Sequence, residues 1–234
     1  MATGEPSRLT ARPDAAGPSA PPLAAGTQAL GLAPGRDAWI VVPHEQATPV
    51  PLLVLLHGAG SSGRAMLRLL AASAEGAGIL VLAPDARAST WDVLRGGYGP
   101  DVAFIDAGLA AVHERWSVDP SRVVLAGFSD GASYALSLGI SNGDRFSHIV
   151  AFSPGFMAPA AAHGRPPVFV SHGRGDQVLP IDRCSRRVVP ALRRVGHEVR
   201  YVEFDGGHGV PGDVARDALA WVSRTPSSAP ALTS

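Results

Sequence analysis

The stretch Arg122-Val-Val-Leu-Ala-Gly127-Phe-Ser129-Asp-Gly131-Ala-Ser-Tyr-Ala-Leu-Ser-Leu-Gly-Ile-Ser141 changes its periodicity at one serine. Before Ser129 lies a short apolar run with the signature of a buried strand. After it, apolar residues follow a helical pattern. Strand, turn and helix in that order, with Gly-x-Ser-x-Gly at the turn, expose a serine hydroxyl at a helix N-terminus. The turn is so sharp that a Cβ on either flank would crowd it, which accounts for the two glycines. As a bare pattern the pentapeptide is weak, and a helix-capping serine is the plain alternative. Its place between strand and helix makes Ser129 a candidate nucleophile.

Working outward, short apolar runs at Trp39–Val42, Leu52–Leu56, Ile79–Ala83, Val123–Ala126, His148–Phe152, Val168–Ser171 and Val199–Phe204 read as strands. Helix patterns fill the gaps at Arg64–Glu75, Asp101–Trp116, Ala132–Ser141, Asp182–Val195 and Gly212–Ser223. This alternation implies an α/β fold, a mostly parallel central sheet flanked by helices and joined by right-handed crossovers. No insertion long enough for a large cap separates Phe152 from Val168. Residues 27–224 are expected to form a single domain. The Ala-, Pro- and Gly-rich residues 1–26 read as an extended or disordered arm, with a short strand near Leu9–Ala11 as an option. Residues 225–234 read as a flexible tail.

In open parallel sheets the ligand site lies beyond the carboxyl ends of the strands. Four Gly-rich or polar loops should meet there, His57–Gly63, Gly127–Gly131, Ser171–Asp176 and Asp205–Gly209. A serine hydroxyl needs a base within hydrogen-bond reach, and an acid to orient that base. Where the nucleophile sits in such an elbow, the chain order is serine, acid, histidine. His208, in Phe204-Asp-Gly-Gly-His208-Gly, follows the last strand and is the expected base. His172 ends the preceding strand, where packing beneath the site suits it better, and His197 lies at the wrong sheet edge. Asp176 is the expected acid, with an Asx-turn carboxylate as its plain reading. Asp182 and Asp205 are its rivals, and Asp205 would have to fold back on its own loop. Two amides should bind the oxyanion, those of Asp130 and Ala59. The bland alternative for His57-Gly58-Ala59-Gly60 is a tight turn that binds nothing. Trp91, Met66, Phe156, Met157 and Leu179 are candidate substrate walls, with core packing as the alternative for each.

Composition narrows the rest. The 234 residues are balanced at 20 basic and 20 acidic side chains, and every basic one is arginine. Without a clustered positive excess, no nucleic-acid partner is expected. One cysteine, Cys184, excludes an intramolecular disulfide or a Cys-rich zinc site and reads as an inert thiol. The longest apolar run is too short to cross a bilayer, and no secretory signal is evident, so a cytoplasmic location is expected.

Together, Leu55-Leu-His57-Gly-Ala-Gly60, Gly127-Phe-Ser129-Asp-Gly131, Ala151-Phe-Ser-Pro-Gly155, His172-Gly-Arg-Gly-Asp176-Gln-Val and Gly207-His208-Gly resemble the phospholipase/carboxylesterase family of α/β-hydrolases, which includes acyl-protein thioesterase-like enzymes. The resemblance runs from about residue 37 to about residue 222. It implies hydrolysis of carboxylic esters or thioesters of small molecules through an acyl-enzyme on Ser129, with no metal or organic cofactor. Short-chain or aryl esters are the expectation. A polyester depolymerase or feruloyl-esterase-like hydrolase with the same triad is the alternative, and a noncatalytic binding module on this fold is the reading from another class. Two departures stand out. Asp130 occupies a position where the family commonly has Gln, and Arg174 one where it often has Thr or Ser.

Overall fold

The computed structural model describes residues 5–224, apart from the side chains of residues 69–73 and 75. Eight strands form one sheet in the order β1-β2-β4-β3-β5-β6-β7-β8. They are β1 (Gly26–Ala29), β2 (Ala38–Val42), β3 (Val50–Leu56), β4 (Leu80–Pro84), β5 (Val118–Phe128), β6 (His148–Phe152), β7 (Val168–Gly173) and β8 (Val199–Phe204). β3 through β8 run parallel, whereas β1 and β2 pair antiparallel at one edge. The helices are α1 (Gly63–Gly76), α2 (Pro100–His113), α3 (Asp130–Ser141), α4 (Ser185–Arg194) and α5 (Gly212–Val222).

The sheet separates two apolar layers. Leu52, Val54 and Leu56 of β3 face one, and Leu53 and Leu55 face the other. This is the two-residue alternation of a strand buried on both faces. Residues of α1 and α5 complete one layer, and those of α2, α3 and α4 the other.

Three features depart from the periodicity. β1 was not expected: its four residues alternate between half-buried and exposed and carry no apolar run. β5 begins at Val118, five residues before the expected start, and its register shifts between Val50 and Leu52 of its partner β3. The helix expected from Asp182 begins at Ser185.

Residues 153–167, where a cap would insert, contain neither helix nor strand. They are fastened along α3 by serines one turn apart. Ser133, Ser137 and Ser141 accept the amides of Gly155 (2.9 Å), Ala158 (2.9 Å) and Ala160 (3.1 Å). Each hydroxyl proton goes to the carbonyl four residues earlier, the back-bonding geometry open to serine inside a helix.

The arm from residue 5 to residue 25 likewise has no regular structure, and no strand forms at Leu9–Ala11. It is nevertheless docked. Leu9 is buried, and its N–H donates to Asn142 Oδ1 (2.9 Å), while Asn142 Nδ2 donates to Ser7 O (2.7 Å). Arg8 pairs with Asp144 at 2.8 Å, and Asp106 accepts the amides of Thr10 and Ala11. The expected tail, residues 225–234, lies outside the described residues. Among the described residues no helix is long and apolar enough to cross a membrane.

Candidate active site

Ser129 sits between β5 and α3 at φ 57°, ψ −121°. Such a backbone costs a non-glycine residue on the order of 1–3 kcal/mol and persists where its surroundings hold it. Those surroundings are tight. A Cβ on Gly127 would lie 2.2 Å from Gly131 O, and one on Gly131 would lie 2.3 Å from Leu56 O. The Ser129 amide donates to Phe152 O (2.9 Å), tying the turn to β6.

His208 stands on the loop between β8 and α5. That loop closes on the one after β7 so tightly that a Cβ on Gly173 would meet Gly207 O at 2.3 Å. The imidazole lies between serine and acid, with Nε2 at 2.8 Å from Ser129 Oγ and Nδ1 at 2.6 Å from Asp176 Oδ2. A carboxylate accepts only, so Nδ1 carries the proton and Nε2 is free to accept the serine proton. Phe128 packs against the imidazole, ring centroids 4.8 Å apart.

Asp176 is buried, and its second oxygen accepts the amides of Val178 (2.9 Å) and Leu179 (2.8 Å). Burial alone would lift its pKa, but these amides and the His208 contact outweigh it and hold the carboxyl below its usual value. His172 lies underneath, fully buried. Its Nε2–H faces Leu179 O (2.8 Å) and Asp176 Oδ2 (3.2 Å), and its Nδ1 accepts from Ser185 Oγ (2.7 Å). Burial pushes its pKa down, which favours the neutral ring. Asp182 and Asp205 instead pair with Arg186 and Arg174 at the surface.

The amides of Ala59 and Asp130 have no hydrogen-bond acceptor among the described residues. His57 sets the first of them. Its Nδ1–H donates to Gly58 O (2.7 Å) and its Nε2 accepts Ala86 N–H (2.9 Å). In a trans peptide the C=O and N–H point in opposite directions. With Gly58 O turned to the imidazole, the Ala59 N–H faces the other way. A Cβ on Gly58 would lie 3.3 Å from Ser129 Cβ, so this loop lies directly over the serine. Asp130 supplies the other amide at the N-terminus of α3, and its carboxylate accepts the Thr90 hydroxyl at 2.6 Å.

Ser129 and His208 open into a cleft of 360 Å³ with apolar walls from Ala65, Met66, Phe128 and Val178. Of the expected walls, Met66 lies there. Trp91 does not: it is fully buried, donates Nε1–H to His57 O (2.8 Å) and stacks on Tyr134 at 5.0 Å. Its size and indole N–H found partners inside the protein. Phe156, Met157 and Leu179 are also absent from these walls. The Phe156 amide faces Ser133 Oγ, Met157 packs against the core and Leu179 covers Gly155. The three other apolar side chains of the cleft are weakly marked in the sequence. Phe128 is a neighbour of the serine in sequence, Val178 lies two residues past the acid, and Ala65 carries no distinguishing signal. Among the described residues no group of three or more His, Cys, Asp or Glu side chains is placed to hold a metal ion.

Residues 102–225, over half of the chain, match the family model described as Phospholipase/Carboxylesterase. A putative esterase, NocK, from Nocardia uniformis subsp. tsuyamanensis is 31% identical over 58% of this chain and 42% of its own length. A probable feruloyl esterase C from Aspergillus oryzae is 28% identical over 62% of this chain and 64% of its own. The chain thus spans less than two thirds of the length of these curated relatives. Among solved structures, that of esterase PE8 superposes with a TM-score of 0.62 at 27% identity, over 78% of this chain and 97% of the other. The matched segment contains Ser129, Asp176 and His208, and the chain belongs to the phospholipase/carboxylesterase family of α/β-hydrolases.

Proposed function

We propose that this protein is a serine carboxylesterase acting through an acyl-enzyme on Ser129, with residues 27–224 as one catalytic domain. The observation that carries the reading is the relay Ser129 Oγ, His208 Nε2 and Nδ1, Asp176 Oδ2, with gaps of 2.8 and 2.6 Å. His208 accepts the serine proton as the oxygen attacks the ester carbonyl. The resulting oxyanion rests on the amides of Ala59 and Asp130. Collapse breaks the bond to the alkoxy group, which leaves as the alcohol with the proton held by His208. Water then loses a proton to the same nitrogen, attacks the acyl carbonyl and releases the acid, returning the proton to Ser129. Asp176 stays ionised throughout, orienting Nδ1–H and stabilising the transient imidazolium.

The substrates are uncharged esters of short-chain or aryl type. Among the described residues no Asp, Glu or Arg lines the cleft, and Val178 in its wall is 67% exposed. This site favours a small neutral group over a long acyl chain, which would need a covered tunnel. Hydroxycinnamate esters form a second reading, favoured by relatives named feruloyl esterase C. Nitrophenyl esters of increasing acyl length, assayed beside methyl ferulate, test both. A maximum at acetate to butyrate is expected, and a maximum at long chains would overturn the open-cleft reading. Absence of fluorophosphonate labelling at Ser129 would instead leave a noncatalytic binding module.

A further inference from the structure

We propose that Thr90 is a positioning residue of the oxyanion site, holding the Asp130 carboxylate away from the negative charge that forms there. This rests on the reading of Ser129 as nucleophile and of the Asp130 amide as an oxyanion donor. Residue 130 carries two opposed features. Its N–H stands at the N-terminus of α3, a place that favours negative charge. Its side chain is an anion, and like charges a few ångström apart repel.

The structure separates the two. Thr90 Oγ1 donates to Asp130 Oδ2 at 2.6 Å, the one hydrogen bond of the Asp130 carboxylate among the described residues. The Asp130 side chain is not among the cleft's walls. Thr90 is itself gripped from both sides. The carbonyl of Ser89 accepts the Gly60 amide at 2.7 Å, and Trp91 donates to His57 O at 2.8 Å. Residues 89–91 therefore hold three points around the oxyanion site: Gly60 in the Ala59 loop, Asp130 on α3 and His57 at the end of β3. A carboxylate anchored to so rigid a segment cannot swing toward its own amide. Removing the threonine hydroxyl frees that rotation while leaving the backbone clip in place.

Thr90→Val, nearly isosteric, should lower kcat on nitrophenyl acetate about tenfold with KM within about twofold, because the freed charge opposes the transition state and not the neutral ester. Thr90→Ser keeps the donor and should recover most of the lost rate. The decisive comparison uses Asp130→Asn as background. A neutral amide has no charge to intrude, so Asp130→Asn with Thr90→Val should match Asp130→Asn alone. Thr90→Ala replaces the valine variant throughout if valine does not fold. Wild-type kcat in Thr90→Val, or an equal loss in both backgrounds, would overturn the proposal in favour of mere loop packing. Failure of the wild-type protein itself to turn over esters would strike the hydrolase reading instead, so the two failures are distinct.

Discussion

The two ends of α3 use their hydrogen-bonding groups for opposite purposes. At the N-terminal end, Ser129 is held at positive φ and the Asp130 amide has no acceptor among the described residues. At the other end Asn142 is fully buried and saturated, donating to Ser7 O and Leu138 O and accepting from Leu9 N. One end keeps a donor unspent, as the proposed oxyanion site requires. The other spends every group to fasten a segment without secondary structure. Ser133, Ser137 and Ser141 run between them, so a single helix presents Ser129, the proposed nucleophile, holds the 155–160 segment and anchors the arm. Irregular backbone can thus be as well fixed as a strand where side chains supply its partners.

If the ends are separate in function, substitutions should sort by end. The largest effect belongs to Ser129→Ala, which should reduce ester turnover by at least about 10⁴-fold in a folded protein, measured by kcat and circular dichroism. Next comes Gly131→Ala, whose Cβ would sit 2.3 Å from Leu56 O and 2.4 Å from His57 O. Backbone cannot yield as a side chain tip would, so a loss of at least about 3 kcal/mol is expected, read as a fall in Tm of about 6 °C or more. A tolerated alanine would mean the turn is looser than described.

Asn142→Ala should cost about 2 kcal/mol by stranding buried partners and should expose the arm to limited proteolysis. Its kcat should stay within about twofold of wild type. A large drop in kcat would show that the two ends are coupled through the serine stripe.

The smallest effect lies away from α3, on β8. Arg186 holds the Glu203 carboxyl well below its ordinary value, to about 2, with Tyr201 and Arg174 assisting. A depressed acid stabilises the fold above its unfolded pKa, and that stability disappears as pH falls through the folded pKa. Wild type should therefore exceed Glu203→Gln in stability near neutral pH, by less than about 1 kcal/mol at this solvent-facing network. The gap should close between about pH 4.5 and pH 2, as measured by urea midpoints. A gap that persists at pH 2 would assign the effect to packing.

Much of the fold was legible because its strands are buried on both faces. Continuous apolar runs such as Leu52–Leu56 and His148–Phe152 announce themselves, and helix periods separate them. β1 was silent for the converse reason, being a half-exposed edge without an apolar run. Strand direction was silent too: β2 is as apolar as β4 beside it, yet it runs antiparallel to it. Residues proposed to do chemistry were legible from glycines, which mark places where backbone must pass close to backbone. The cleft walls were not, because Trp91 and Met66 look alike in sequence as large apolar residues near strand ends. One is buried beneath the site and the other faces it.

From its sequence alone this chain determined an α/β architecture and a serine, an aspartate and a histidine on three separate strand-end loops, since periodicity and glycine spacing are local properties. Tertiary structure decided what those loops touch: which aromatic is wall and which is buttress, where the Asp130 carboxylate is tied, and that a strandless arm lies docked on α2 and beyond the end of α3. Such contacts join residues as far apart as Leu9 and Asn142. No local pattern encodes them, because they depend on the distance between surfaces that only the folded sheet brings together.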